Sequence, residues 1–173
     1  MTPLIVPFGS RLKEQYRPKG GHWKMNVGGL IIPDLSGNNN HGTRTNYNWN
    51  AASGWAGQGD ILDGVNDYAA IPSSASVQLT NYGTVCAWIN PFSLVNNAAT
   101  GVVSKRGNDS LGGIEYTLSV EDPQFIFNGA SATVSQIIAS NNSLILNKWN
   151  YICVTIANGT WTLYYNGALD KQE

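Results

Sequence analysis

From about Asp60 onward the chain is written as short apolar or alternating runs separated by turn residues: "ILDGVNDYAAI", "GTVCAWINP", "GVVSKR", "GIEYTLSV", "QFIFN", "ATVSQIIA", "KWNYICVTIA" and "TWTLYYN". Alternation with a period of two predicts β-strands, because successive side chains of a strand point to opposite faces. No long segment carries an apolar stripe at i, i+3 and i+4, so helix is expected to be minor. Asn128-Gly129, Asn158-Gly159 and Asn166-Gly167 each follow a strand-like run. Asn-Gly predicts a type I′ hairpin turn, in which both central residues take positive φ. Around the middle pair, Ile152, Val154 and Ile156 alternate on one side and Trp161, Leu163 and Tyr165 on the other. A two-residue loop there would pair the two runs as antiparallel neighbours. In "TVCAWIN", Val85, Ala87 and Ile89 share one face while Cys86 and Trp88 share the other. A strand apolar on both sides predicts a central strand, buried below and partly covered above. The expected fold class is all-β, an antiparallel two-sheet β-sandwich.

Composition sharpens this picture. The chain has 173 residues, enough for one domain with a real core. Hydrophobic residues make up 42%, too many for a disordered tail. Charged residues are only 12%, about half the usual share, and amides and hydroxyls supply the missing polarity. A net charge of -1 argues against nucleic acid as a partner, since phosphate recognition rests on a basic field. No run approaches the roughly 18 apolar residues of a membrane span, and the N-terminus has no apolar run long enough for a secretory signal. Within the first 24 residues, Arg11, Lys13, Arg17, Lys19 and Lys24 stand against Glu14 alone, and the chain reads as a basic arm over residues 1–21 ahead of a domain over 22–173. Such an arm is either a solvated leader or a segment that docks on a partner subunit or an acidic surface. Cys86 and Cys153 sit mid-run in apolar segments and read as two buried free thiols; a single disulfide across the sheets is the alternative that spacing does not decide.

The stretch "DLSGNNNHGT" (34–43), then "LDGVNDYAAIP", "VCAWINP", "VVSKRG", "YTLSV" and "NKWNYICVTIANGTWTLYYNGAL" resemble, in order and spacing, laminin G-like domains of the concanavalin A-like lectin/glucanase superfamily. The resemblance runs from about Trp23 to Leu169. It implies a sandwich of jelly-roll type, commonly a carbohydrate-binding or adhesion module, often with one calcium ion at the rim. It also implies further strands after the "YYNGAL" hairpin. With the sequence ending at Glu173, the sandwich is expected to be incomplete at its C-terminus, with an edge near "TWTLYYN" open to another chain.

Candidate chemistry follows from these stretches. Asp, Asn and backbone carbonyls are hard oxygen ligands of the kind Ca²⁺ prefers, so Asp34 with Asn38, Asn39 and Asn40 is a candidate calcium site. The alternative is that Asp34, Ser36 and the asparagines build Asx-turns that hold a tight loop. His41 reads as a loop-packing residue, because His22 is the only other histidine and no cysteine lies near either. Asp60 and Asp63 point opposite ways on a strand, and by resemblance Asn66, Asp67 and Tyr68 match a turn whose aspartate caps backbone amides. Retaining glycosidases need two carboxyl groups about 5 to 5.5 Å apart. Glu14, Glu115, Glu121 and Glu173 stand apart from any such pattern, and no phosphate loop or Ser/His/Asp order replaces it, so the chain is not expected to be an enzyme. Trp88, Trp149 and Trp161 lie in strand-like runs and are expected in the core. Tyr47, Trp49 and Trp55 fall in a polar loop where a ring can stack on a sugar, and Asn96, Asn97, Asn108 and Asp109 lie in loops able to bond its hydroxyls. The alternative is that Trp49 and Trp55 seal an edge of the sandwich.

The expected function is a non-catalytic, calcium-assisted carbohydrate-binding or adhesion module whose partner is a glycan or glycoconjugate. The alternative is a structural or attachment protein of a virus or phage particle, which would account for the absent export signal, the basic arm and the neutral surface together. Such a component would form homo-oligomers or bind other particle subunits through the arm and the C-terminal edge. Either reading places the chain outside cells or on a virion surface.

Overall fold

The computed structural model describes residues 20–25, 28–46, 49–50, 59–94, 100–105, 115–130 and 135–173; the basic arm up to residue 19 lies outside the described residues. The chain forms two compact units, Met1–Val77 and Gln78–Glu173. The first holds β1 (Ile31–Ile32), β2 (Gly42–Thr45), β3 (Trp49–Asn50), β4 (Gly59–Asp60) and β5 (Tyr68–Ala70), ending in a 3₁₀ turn at Ala75–Val77. β1, β2 and β5 form one antiparallel sheet in that order, and β3 pairs with β4.

The second unit holds β6 (Tyr82–Ile89), β7 (Thr100–Lys105), β8 (Glu115–Glu121), β9 (Gln124–Ala130), β10 (Ser135–Ala139), β11 (Asn150–Ala157), β12 (Thr160–Tyr165) and β13 (Ala168–Gln172). They build two antiparallel sheets, β10-β9-β8-β7 and β13-β12-β11-β6. Alternation assigns the faces: Leu118, Val120, Phe125, Phe127 and Ile138 of the first sheet pack in one cluster with Ile152, Val154, Ile156, Trp161 and Leu163 of the second. Phe127 meets Trp161 edge-on at 5.2 Å, so the two sheets are in ring contact. Each of these side chains, fully buried, contributes about 1.5–3 kcal/mol. Gly83 of β6 packs against the Leu79 side chain, which a Cβ at that position would displace. The architecture is the expected all-β sandwich.

Two of the three Asn-Gly turns form as expected. Asn158 (φ 49) and Gly159 (φ 84) join β11 to β12 in the register Ile152↔Tyr165, Val154↔Leu163, Ile156↔Trp161. Asn166 (φ 50) and Gly167 (φ 84) join β12 to β13. Asn128-Gly129 does not turn. These residues run through β9, paired with Thr117 and Tyr116 on one side and with Ile137 and Gln136 on the other. The turn instead lies at Asp122-Pro123, a cis peptide, where Glu121 opposes Gln124. A strand with a partner on each side satisfies its backbone groups in two ladders, which overrides a local turn preference.

Three further expectations are corrected. β6 ends its sheet among the described residues and is not a central strand, and its outward residues Trp88 (46% exposed) and Cys86 face solvent. Its outer apolar groups are satisfied laterally, by a ring on the neighbouring strand and by a covalent bond. Cys86 and Cys153 are not free thiols. They oppose one another on β6 and β11 and form a disulfide within one sheet, with Cα atoms 4.0 Å apart. The sequence places both mid-strand but not opposite each other; the β6–β11 register does that. Finally, "TWTLYYN" is not an edge, because β13 covers it from Tyr165↔Ala168 to Thr162↔Gln172. "ALDKQ" is too short and polar to read as a strand, and the two-residue hairpin delivers it against β12.

Candidate functional site

The Asp34 loop connects β1 to β2, and its carboxylate organises it. Oδ1 accepts from the N–H groups of His22 and Ser36, both at 2.9 Å, and Oδ2 accepts from Ser36 Oγ at 2.8 Å and from the Asn40 N–H at 3.0 Å. Burial works against the charge, but the bonds from His22, Ser36 and Asn40 outweigh it and hold the carboxyl below its usual range. His41 Nδ1 accepts from the Asp34 N–H at 2.9 Å, which makes His41 part of the loop's own packing. Asn38 Nδ2 donates to Gly20 O (2.7 Å) and Ser36 Oγ (3.2 Å). Asn39 takes φ 60, a conformation Asn tolerates well. Asn40 is buried, with Nδ2 on Ser76 Oγ (2.8 Å), Oδ1 accepting from Ser74 Oγ (2.7 Å) and its carbonyl accepting from Trp23 Nε1 (2.6 Å).

Ca²⁺ takes six to eight oxygens, whereas both oxygens of Asp34 already face four donors of the chain itself. No group of three or more acidic, His or Cys side chains able to hold a metal occurs among the described residues. A cation at Asp34 would have to take the place of the donors that shape the loop.

The second carboxylate stretch is also structural. Asp63 Oδ1 accepts from the Val65 N–H (2.8 Å) and Asp67 Oδ2 from the Asp63 N–H (2.8 Å), the capping role expected of Asp67. Asp60 faces a buried arginine that sequence reasoning passed over: Arg44 Nη2 lies 3.0 Å from Asp60 Oδ1, their side chains 2% and 6% exposed. An arginine on an inward position of a short strand was the available signal, since a buried guanidinium demands a partner.

Of the candidate glycan residues, Tyr47, Trp55, Asn96, Asn97, Asn108 and Asp109 lie outside the described residues, and only the backbone of Trp49, in β3 opposite Asp60, is described. The tryptophans expected in the core divide. Trp161 is 1% exposed and central to the core, Trp149 is half-buried, and Trp88 is on the outside. Trp88 opposes Tyr151 across the β6–β11 ladder, with ring centroids 5.0 Å apart and planes tilted by 38°.

The pair belongs to a patterned outer face. Below it the disulfide opposes Tyr164 and Leu169, and the next row is Thr84, Thr155, Thr162 and Gln172, with Gln172 Nε2 donating to Thr162 Oγ1 at 3.0 Å. Tyr82, 61% exposed, stands at the far end of β6. Rings and hydroxyls on a flat sheet can stack on a sugar ring and bond its hydroxyl groups. The sequence signal for this face was the second phase of alternation in "TVCAWIN", which names Trp88 but not the strands that flank it.

A laminin G family model of the concanavalin A-like lectin/glucanases superfamily matches residues 63–173. No curated protein matches the chain in sequence. Solved structures that share its fold include the following two. One is an S-layer domain-containing protein of Clostridium thermocellum (residues 221–444), 20% identical, with a TM-score of 0.56 over 89% of this chain and 71% of that one. The other is domain 4 of AbnA, a GH43 extracellular arabinanase of Geobacillus stearothermophilus, in complex with arabinotriose, 16% identical, with a TM-score of 0.61 over 88% of this chain and 75% of that one. With a match across both sheets of the sandwich, the chain belongs to the laminin G-like family of the concanavalin A-like lectin/glucanases superfamily.

Proposed function

We propose that this chain is a non-catalytic carbohydrate-binding module that uses the outer face of the β13-β12-β11-β6 sheet. The observation that carries the reading is the solvent-facing Trp88–Tyr151 pair set beside a row of hydroxyl and amide side chains. The arabinotriose held by the AbnA domain of like fold supports it. In this reading Asp34, Asp60, Asp63, Asp67 and Asp170, each engaged by donors of the chain, are structural. The Cys86–Cys153 disulfide fits an oxidising location outside the cytosol. In this reading the Asp34 loop is a hydrogen-bonded support and binding is independent of calcium.

A glycan array probed with the purified chain, once with calcium and once with chelator, tests both points. Binding is expected in both conditions, and Trp88→Ala is expected to weaken it by about tenfold or more, the loss of about 1.4 kcal/mol of stacking. Binding lost in chelator would transfer the role to a metal loop, and binding indifferent to Trp88→Ala would remove it from this face.

A further inference from the structure

The geometry points to the class of glycan: we infer that the face takes an extended, uncharged polysaccharide chain laid along β6, reaching from Trp88 to Tyr82. The inference rests on the carbohydrate reading of this same face. Three observations carry it. First, the outward positions of β6, β11 and β12 include no acidic or basic side chain; they are aromatic, Thr, Ala and the disulfide. The nearest charges on the flanking strand are committed elsewhere, Asp170 to the N–H groups of Asn141 (2.7 Å) and Asn142 (3.0 Å), and Lys171 to Glu173 (2.6 Å). A uronic or sulfated polymer would lose its hydration there and gain no counter-charge from these strands. Second, Tyr82 and Trp88 share one face of one strand and are both open to solvent. Six residue steps at about 3.3 Å each set them about 20 Å apart, well beyond the length of one sugar ring. Third, between them along the ladder lie Thr84 and Thr155, which supply hydroxyls, and the disulfide.

The test is calorimetric titration of the full chain with unbranched arabino-, xylo- and gluco-oligosaccharides from the trisaccharide to the octasaccharide, and with polygalacturonate, at low and high salt. In at least one neutral series affinity is expected to rise about tenfold with length, and added salt is expected to leave it unchanged. Tyr82→Ala should abolish the gain with length while sparing the trisaccharide; Tyr82→Phe should keep the gain; Trp88→Ala should weaken both. Both positions are exposed, and unchanged melting temperatures would confirm that the variants fold. Affinity that does not depend on length, or tighter and salt-sensitive binding of polygalacturonate, would overturn the neutral-chain inference and leave the carbohydrate reading standing. No binding in any series, with a Trp88-dependent dimer or protein complex instead, would overturn the carbohydrate reading itself.

Discussion

Asp34 shows at the residue scale how a polar loop is held. A carboxylate that is buried yet accepts four hydrogen bonds is stabilised chiefly in its ionised form, so its folded-state pKa lies below the usual 3.8. Its contribution to stability is therefore fully present above pH 3.8 and is lost as the pH falls through the lowered folded value. Asp34→Asn keeps one acceptor oxygen and puts an amide where donors converge. It is expected to cost about 2–3 kcal/mol near neutral pH. Urea unfolding of both proteins across the acid range should show the two stabilities converging below the carboxyl titration; a constant difference would mean that the charge is not what holds the loop. Asn150 illustrates the same economy without charge. It is fully buried, yet its Oδ1 accepts from the Ile145 N–H (3.0 Å) and Tyr165 Oη (2.7 Å), and its Nδ2 donates to the carbonyls of Ile145 and Lys148. "KWNY" reads as part of an apolar run, and nothing in its pattern announces a polar core residue. The partners of Asn150 come from a loop and from the next strand, so only the fold brings them to it.

Among the elements, the β11–β12 hairpin was legible down to its register, because Asn158-Gly159 is a local turn signal flanked by two runs in phase. β9 was legible as a strand, but its Asn-Gly was misread. The competing partners, β8 and β10, are not visible in the nine residues around it. The same holds for Cys86 and Cys153, 67 residues apart, whose pairing depends on β6 docking against β11. That bond ties an edge strand carrying Trp88 and Tyr82 to the interior of its sheet. Replacing both cysteines by serine is expected to lower stability by about 2–5 kcal/mol, read as a fall in the denaturant midpoint, and native protein should show no thiol reactive toward a chromogenic disulfide reagent. Two reactive thiols in the folded protein would contradict the structure.

For the whole molecule, a ligand that binds only the folded sandwich must stabilise it by mass action. At a free glycan concentration of about 100 times Kd the gain is about 2.7 kcal/mol. A melting-temperature rise of that origin should appear equally with calcium and with chelator, and should vanish in Trp88→Ala; a rise seen only with calcium would restore the metal to the mechanism. The β class, the existence of most strands and the apolar set that fills the core were determined by the sequence alone, since alternation and turn chemistry act over a few residues. The ordered motifs also sufficed to indicate the superfamily. What only the tertiary structure decided is which strand lies at an edge, which cysteines meet, and whether an aromatic residue on the second face of a strand is covered or open. Those are questions of long-range pairing, and identical local patterns are compatible with either answer. The ring pair at Trp88 exists because the β6–β11 register brings Tyr151 to its side.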